Sequence, residues 1–303
     1  MSHYVCITFT EGNTRFVIAE LLLDDENIFK AISSVSGRTL NLTTHHCKDL
    51  IQLGAIIVPH QPGRVKNVVT SIKDNNVDTV CMILPASKHK TDVTAELIEV
   101  VKMADVPNIV LITAAGCDLA ERDRQPKLGV WRGALSLPIG QQHKFALVVL
   151  GMIQDVALLA AHVLTGKGSH GLDDKHRGQL TTITGTTFLN GHELAKAASK
   201  ALKANMKFEV IPDREAKQVL RKHIDTNDTE IQFLVEYYSL VREGKTNYMA
   251  TTAFCDVTMG EGPQKPHEFF KIYGEEFTPN KRGVKRRKVD GKYSGYIIVG
   301  WDR

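Results

Sequence analysis

Short β-branched runs alternate with helix-length stretches through the first hundred or so residues, and that alternation leaves few folds open. Tyr4–Phe9, Ala31–Val35, Ala55–Val58, Thr79–Leu84 and Asn108–Thr113 read as strands. Helices are expected at Thr14–Leu23, Lys48–Leu53, Arg64–Lys73 and Thr91–Ala104 between them. Strands that are apolar at consecutive positions must be covered on both faces, which means a parallel sheet with helices above and below. Right-handed crossovers then make the first half a doubly wound α/β sheet.

The second half changes character. Phe145–Leu164 is a 20-residue apolar run, long enough to span a bilayer. It carries Gln154, Asp155 and His162, and a carboxylate at mid-span costs about 2.5–3.5 kcal/mol on insertion scales. A buried helix of a soluble core is therefore expected, with no membrane partner. A strand at Gln179–Thr184, a helix at Glu193–Lys203, a strand at Lys207–Ile211 and helices at Arg214–His223, Glu230–Arg242 and His267–Phe277 follow. Gly244 stands where a helix-ending glycine belongs. This part reads as a smaller C-terminal α/β lobe.

Charge is unevenly spread. The chain carries a net +4, but the residues from Pro279 onward hold eight Lys or Arg against two Asp, which leaves the body near −2. The folded body is not a nucleic-acid binder by charge. The basic run Lys281, Arg282, Lys285, Arg286, Arg287, Lys288 has two readings, a nuclear-import signal or a solvated tail. Five cysteines without CxxC spacing suit a reducing compartment, and the N-terminal residues show no signal peptide. A cytoplasmic protein, with a nuclear alternative, is expected. His45, His46 and Cys47 are adjacent, which is poor metal-ligand spacing, so a helix start is expected and no metal.

Several segments together carry a family resemblance. Residues 108–118 (NIVLITAAGCD), the preceding helix from Val93, residues 137–168 (LPIGQQHKFALVVLGMIQDVALLAAHVLTGKG), 179–202 (QLTTITGTTFLNGHELAKAASKAL) and 237–270 resemble the NmrA-like branch of the atypical short-chain dehydrogenase/reductases. The resemblance implies a Rossmann-type NAD(P)-binding domain and a C-terminal lobe that shapes a pocket. It also implies either NADPH-dependent reduction of a quinone-like or conjugated compound, or a non-catalytic redox sensor that acts on a protein partner such as a transcription factor. Domains are expected at 1–136, 137–278 and a basic tail at 279–303.

A dinucleotide's diphosphate must approach the first strand-to-helix turn closely, so glycines are favoured there. The family pattern is GxxGxxG-like; this chain offers Phe9, Thr10, Glu11, Gly12, Asn13, Thr14 and Arg15, and keeps only Gly12. Arg15 is either a charge partner for phosphate or part of a turn that has lost the ligand. Arg38, read as following the second strand, favours NADP over NAD. Pro85 and Ala86 after the fourth strand, and Ala114 at the end of the fifth, complete the expected cofactor site.

The chemistry is harder to read. Common short-chain reductases place a YxxxK pair and a Ser near the fifth strand, but here Ala114 and Ala115 follow it and no YxxxK occurs. No catalytic residue is assigned. Between Lys127–Leu128 and Leu137–Pro138 only eight residues stand, too few for a crossover helix and its return. A segment missing around 128–137, a shortened sheet and a pocket without one wall are expected, with Trp131 as a plug. Asp118, His143, Tyr237, Tyr238, Arg242 and Asn247 are further pocket candidates, each with a structural alternative.

Overall fold

A computed structural model of the chain describes residues 3–23, 32–83, 89–114, 116–117, 119–121, 123–126, 143–149, 153–166, 178, 180–185, 189–223, 228–245, 253–258, 260, 262–272, 274 and 297–301. Seven parallel strands form the main sheet: β1 (His3–Thr8), β2 (Ile32–Thr39), β3 (Ile56–Pro59), β4 (Thr79–Ile83), β5 (Asn108–Ala114), β6 (His143–Val149) and β7 (Leu180–Ile183). Their order is β3-β2-β1-β4-β5-β6-β7, so the strand order reverses between β1 and β4. In doubly wound sheets that reversal opens a crevice at the carboxyl ends of the strands.

The two faces of the sheet read directly from strand alternation. Val5 and Ile7 of β1 pack with α1 (Asn13–Leu23), Leu50 of α2 (His45–Gln52) and the inner face of α5 (Ile153–Leu164). Cys6 of β1 points the other way, into a layer with α3 (Val65–Asp74) and α4 (Lys90–Ala104). Ile7, Ile18, Leu159 and Ile109 are fully buried, and each such side chain contributes roughly 1.5–3 kcal/mol of transfer free energy.

Two expectations are corrected here. Residues 145–164 are not one helix. The run divides into β6 and α5, with Gly151 in the sequence between them. A short apolar stretch cannot be assigned to strand or helix from periodicity alone, and FALVV is strand-compatible. The shortened sheet is corrected by the same strand. Residues 115–142 separate β5 from β6, ample for a parallel crossover, and β6 pairs along its whole length with β5, from Asn108–His143 to Ala114–Val149. The sheet thus continues past residue 136. Pro126 to Gln142, Trp131 included, fall largely outside the described residues.

Beyond the sheet lie α6 (Gly191–Leu202), β8 (Lys207–Ile211), α7 (Asp213–His223), α8 (Asp228–Arg242), α9 (Ala253–Val257) and α10 (Pro266–Ile272). β9 (Ile297–Trp301), from the segment expected to be a tail, pairs in parallel with β8. α6 starts on a capping box. The Asn190 side chain accepts the Glu193 N–H at 3.0 Å, and the Glu193 carboxylate accepts the Asn190 N–H at 2.8 Å. At the sheet's β3 edge, the His60 N–H bonds inward to the Thr39 carbonyl at 2.7 Å. Strand alternation therefore turns the nitrogen of Pro59 outward, and proline has no N–H to offer there.

Candidate functional site

The crevice is built where β1 ends. The hydroxyl of Thr8 donates to the Ile83 carbonyl at 3.1 Å and accepts the Ile83 N–H at 3.0 Å, which ties the ends of β1 and β4 together. Phe9 then turns with φ +57°, in the left-handed region that glycine enters most easily. Its ring is fully buried in the α3–α4 layer and meets the His60 ring edge-on at 5.5 Å. The turn closes with the Gly12 N–H on the Phe9 carbonyl at 3.1 Å. Thr10 N–H bonds the Arg38 carbonyl at 3.0 Å and fastens the turn to β2. Asn13 and Thr14 open α1, whose first N–H groups have no partner within the helix.

Arg15 occupies the third glycine position of the pattern and folds back over the second. A Cβ added to Gly12 would collide with the Arg15 Nη1, and the guanidinium carbon lies 6.0 Å from the Phe9 ring centroid. Burial holds the Cys81 thiol of β4 far above its ordinary range, at about 12, with Cys6 adding to the effect and the Arg15 charge opposing it. Arg15 thus sets a positive charge near the gap between β1 and β4. A group seated over Gly12 would first have to displace the Arg15 guanidinium. Phe9 packs beneath the turn, and the group lying over Gly12 is the far end of a flexible cation rather than backbone.

Arg38 departs from expectation. It lies inside β2, only 4% exposed, with Nη1 donating to Ser71 Oγ at 3.1 Å and Nη2 to the Pro59 carbonyl at 3.0 Å. The sequence reading ended the second strand at Val35 because Ser36-Gly37-Arg38 resembles a turn, whereas β2 continues to Thr39. Gly37 is needed where the neighbours crowd; a Cβ there would stand 2.7 Å from Thr10 Cγ2 and 2.5 Å from Ile57 Cδ1. Pro85, Ala86 and Asp118 lie outside the described residues. Ala114 ends β5, paired with Val149. His143 begins β6.

Sequence reasoning missed a polar cluster at the ends of β1–β3. His60, 3% exposed, stands 3.8 Å from the Glu96 carboxylate. Burial lowers its pKa, and Glu96 works against that shift. Both His60 ring nitrogens, Glu96 Oε1, Arg38 Nε, Thr10 Oγ1 and Glu11 Oε2 are buried without a hydrogen-bond partner among the described residues. The signal available was a histidine between a strand and the Gln61-Pro62-Gly63 turn. Burial of Arg38 follows the same pattern, with its pKa lowered by desolvation.

The other candidates disperse. His45 and His46 begin α2 behind the Thr44 cap; His46 stacks on Phe16 at 4.4 Å, while Cys47 is buried against Thr39. Tyr237 and Tyr238 lie on α8, and burial pushes the Tyr237 phenol up to about 12, with Tyr238 adding to the effect. Arg242 pairs with Asp213 at 2.7 Å. Asn247 falls outside the described residues.

The fold and crevice define a doubly wound, Rossmann-type α/β protein. No protein-family model matches the chain, and no curated protein matches it in sequence. Solved structures do match in fold. Triphenylmethane reductase of Citrobacter sp., complexed with NADP(H), superposes with a TM-score of 0.70 at 13% identity, over 88% of this chain and 99% of that one. The NADPH-dependent quinone oxidoreductase of Escherichia coli, complexed with NADPH, gives 0.67 at 12%, over 89% and 99%. A nucleoside-diphosphate-sugar epimerase from Staphylococcus aureus gives 0.67 at 12%, over 89% and 100%.

Proposed function

We propose that the chain is an NmrA-like atypical short-chain dehydrogenase/reductase that binds NADP(H) and reduces a small quinone-like or conjugated compound. The observation that carries this reading is the β1–α1 turn at the strand-order reversal, with the Arg15 cation above Gly12 and the amide groups of Asn13 and Thr14 at the helix start. Two fold neighbours are NADPH-dependent or NADP(H)-bound reductases by their own descriptions, which supports the same reading.

When bound, NADPH supplies the hydride. The chain's own residues bind and orient. Gly12 leaves room for close approach, Arg15 neutralises phosphate charge, and the first amides of α1 donate to phosphate oxygens. Arg38 acts from below by holding the β3–α3 turn through Pro59 and Ser71. A second reading, a dinucleotide sensor without turnover that regulates a protein partner, is favoured by the absence of any YxxxK pair.

Melting the full chain with NADPH, NADH or neither tests both readings. At 100 times the dissociation constant a ligand adds about 2.7 kcal/mol, and Arg15→Ala is expected to weaken NADPH binding about tenfold or more. Stabilisation together with quinone-dependent NADPH oxidation supports the reductase; stabilisation alone supports the sensor. No shift with either nucleotide overturns both.

A further inference from the structure

On the reading that the crevice takes a dinucleotide and a small substrate, we infer that Gln125 is a positioning residue: it pins the segment leaving β5 onto α8 and so fixes the wall of the crevice on the substrate side. A dinucleotide seated at the β1–α1 turn extends across the strand-order reversal, toward the carboxyl ends of β4 and β5. The segment that leaves β5 borders that far half. Its first part stays with the sheet. The Thr113 hydroxyl donates to Cys117 Sγ at 3.3 Å, and Cys117 is buried in the layer that also holds Phe9. By Ala120 the segment has reached α8, where it is buried against Leu240 with Phe233 and Tyr237 beside it.

Apolar contacts alone leave the register of two such surfaces loose, whereas a fully paired buried amide specifies it. Gln125 is 1% exposed. Its Oε1 accepts the Glu121 N–H at 3.0 Å, and its Nε2 donates to Ser239 Oγ at 3.3 Å. The Ser239 hydroxyl donates in turn to the Glu236 carbonyl at 2.7 Å, and the Gln125 N–H closes onto the Glu121 carbonyl at 2.7 Å. The roles are fixed: a backbone N–H must face the amide oxygen, and a hydroxyl whose proton is already given can only accept from the amide nitrogen. One register satisfies the set. Further out, Lys245 meets Glu121 at 2.7 Å and Glu243 at 3.0 Å, and Arg124 also pairs with Glu243. Those pairs lie within reach of solvent and add little, so holding the register falls to Gln125. The nucleotide turn rests on separate ties, Thr8 to Ile83 and Thr10 to Arg38.

The test compares the full chain with Gln125→Met, which keeps the length and removes both side-chain bonds, with Ser239→Ala, and with the two combined. Ligand-free melting of each variant reports the fold, and Ser239→Ala, the milder change, carries the comparison if Gln125→Met does not fold. Isothermal titration measures NADPH binding, and then binding of the quinone menadione to the chain saturated with NADP+. Gln125→Met is expected to weaken menadione about tenfold, within the range of coupling between separate sites, and to change NADPH less than about twofold. Ser239→Ala is expected to act in the same direction, and the double variant to be no weaker than Gln125→Met alone. Hydrogen exchange over residues 116–126 is expected to quicken in each variant while that of β1 stays as it was. Equal weakening of both ligands, unchanged menadione binding, or a silent Ser239→Ala overturns the role of Gln125 and leaves dinucleotide binding standing. A parent chain that binds NADPH but no menadione overturns the inference together with the quinone-like substrate, and one that binds neither overturns the dinucleotide reading as well.

Discussion

Phe9 shows how one residue reconciles two opposing costs. A left-handed backbone at a non-glycine residue costs roughly 1–2 kcal/mol, but removing a buried phenylalanine costs about 3–5 kcal/mol. Burial wins, so Phe9→Gly is expected to relax the turn and still destabilise the protein by about 1–4 kcal/mol in urea unfolding, the cavity exceeding the relief. His60 carries a pH dependence of the opposite kind to an ion-paired histidine. Its folded pKa is depressed below the ordinary 6.5 by burial, so unfolded chains bind the proton first. Stability is present above pH 6.5 and is lost as pH falls through that value. Melting temperatures measured from pH 8 to 5 are expected to fall, and His60→Gln is expected to flatten the decline.

At the scale of elements, polar ties fasten the C-terminal part alongside its apolar cluster. Both oxygens of Asp155, on α5, accept the Gln264 N–H, at 3.1 and 3.2 Å, and the carboxylate is only 6% exposed. Asp155→Ala is expected to cost about 1 kcal/mol, because a part-buried N–H loses its acceptor, and proteolysis near residue 264 is expected to quicken. Asn190→Ala, which breaks the α6 capping box, is expected to cost about 1 kcal/mol in thermal melts. The strands of the main sheet through β5 were legible to within a few residues, since β1, β3, β4 and β5 are apolar runs between polar breaks; β2, ISSVSGRT, is mostly polar, and its end was placed four residues early. The β6–α5 pair was not, because FALVV and the residues after it are equally apolar and only one glycine divides them. At the site, Gly12 was legible as the retained glycine of the pattern, and Phe9 and Arg15 as departures from it. The inward turn of Arg38 and the pocketing of His60 were not, since both depend on Ser71, Pro59 and Glu96, which reach the crevice only once α3 and α4 pack.

For the whole molecule, no helix among the described residues is long and apolar enough to cross a membrane. The core residues described on the strands fall into two apolar layers, one on each face, so the sheet and the helices flanking it are expected to melt as a unit. A single transition seen by both near- and far-UV dichroism would check this. The outward nitrogen of Pro59 has a consequence for colloidal behaviour. Ile51, Leu53 and Ile56 are exposed along the β3 border, with Leu40 and Leu42 nearby. A greasy rim of this kind invites a neighbouring molecule to continue the hydrogen-bonded ribbon. The four-residue strand ends in a proline with nothing to donate, so a joining molecule finds one rung fewer on an already short ribbon.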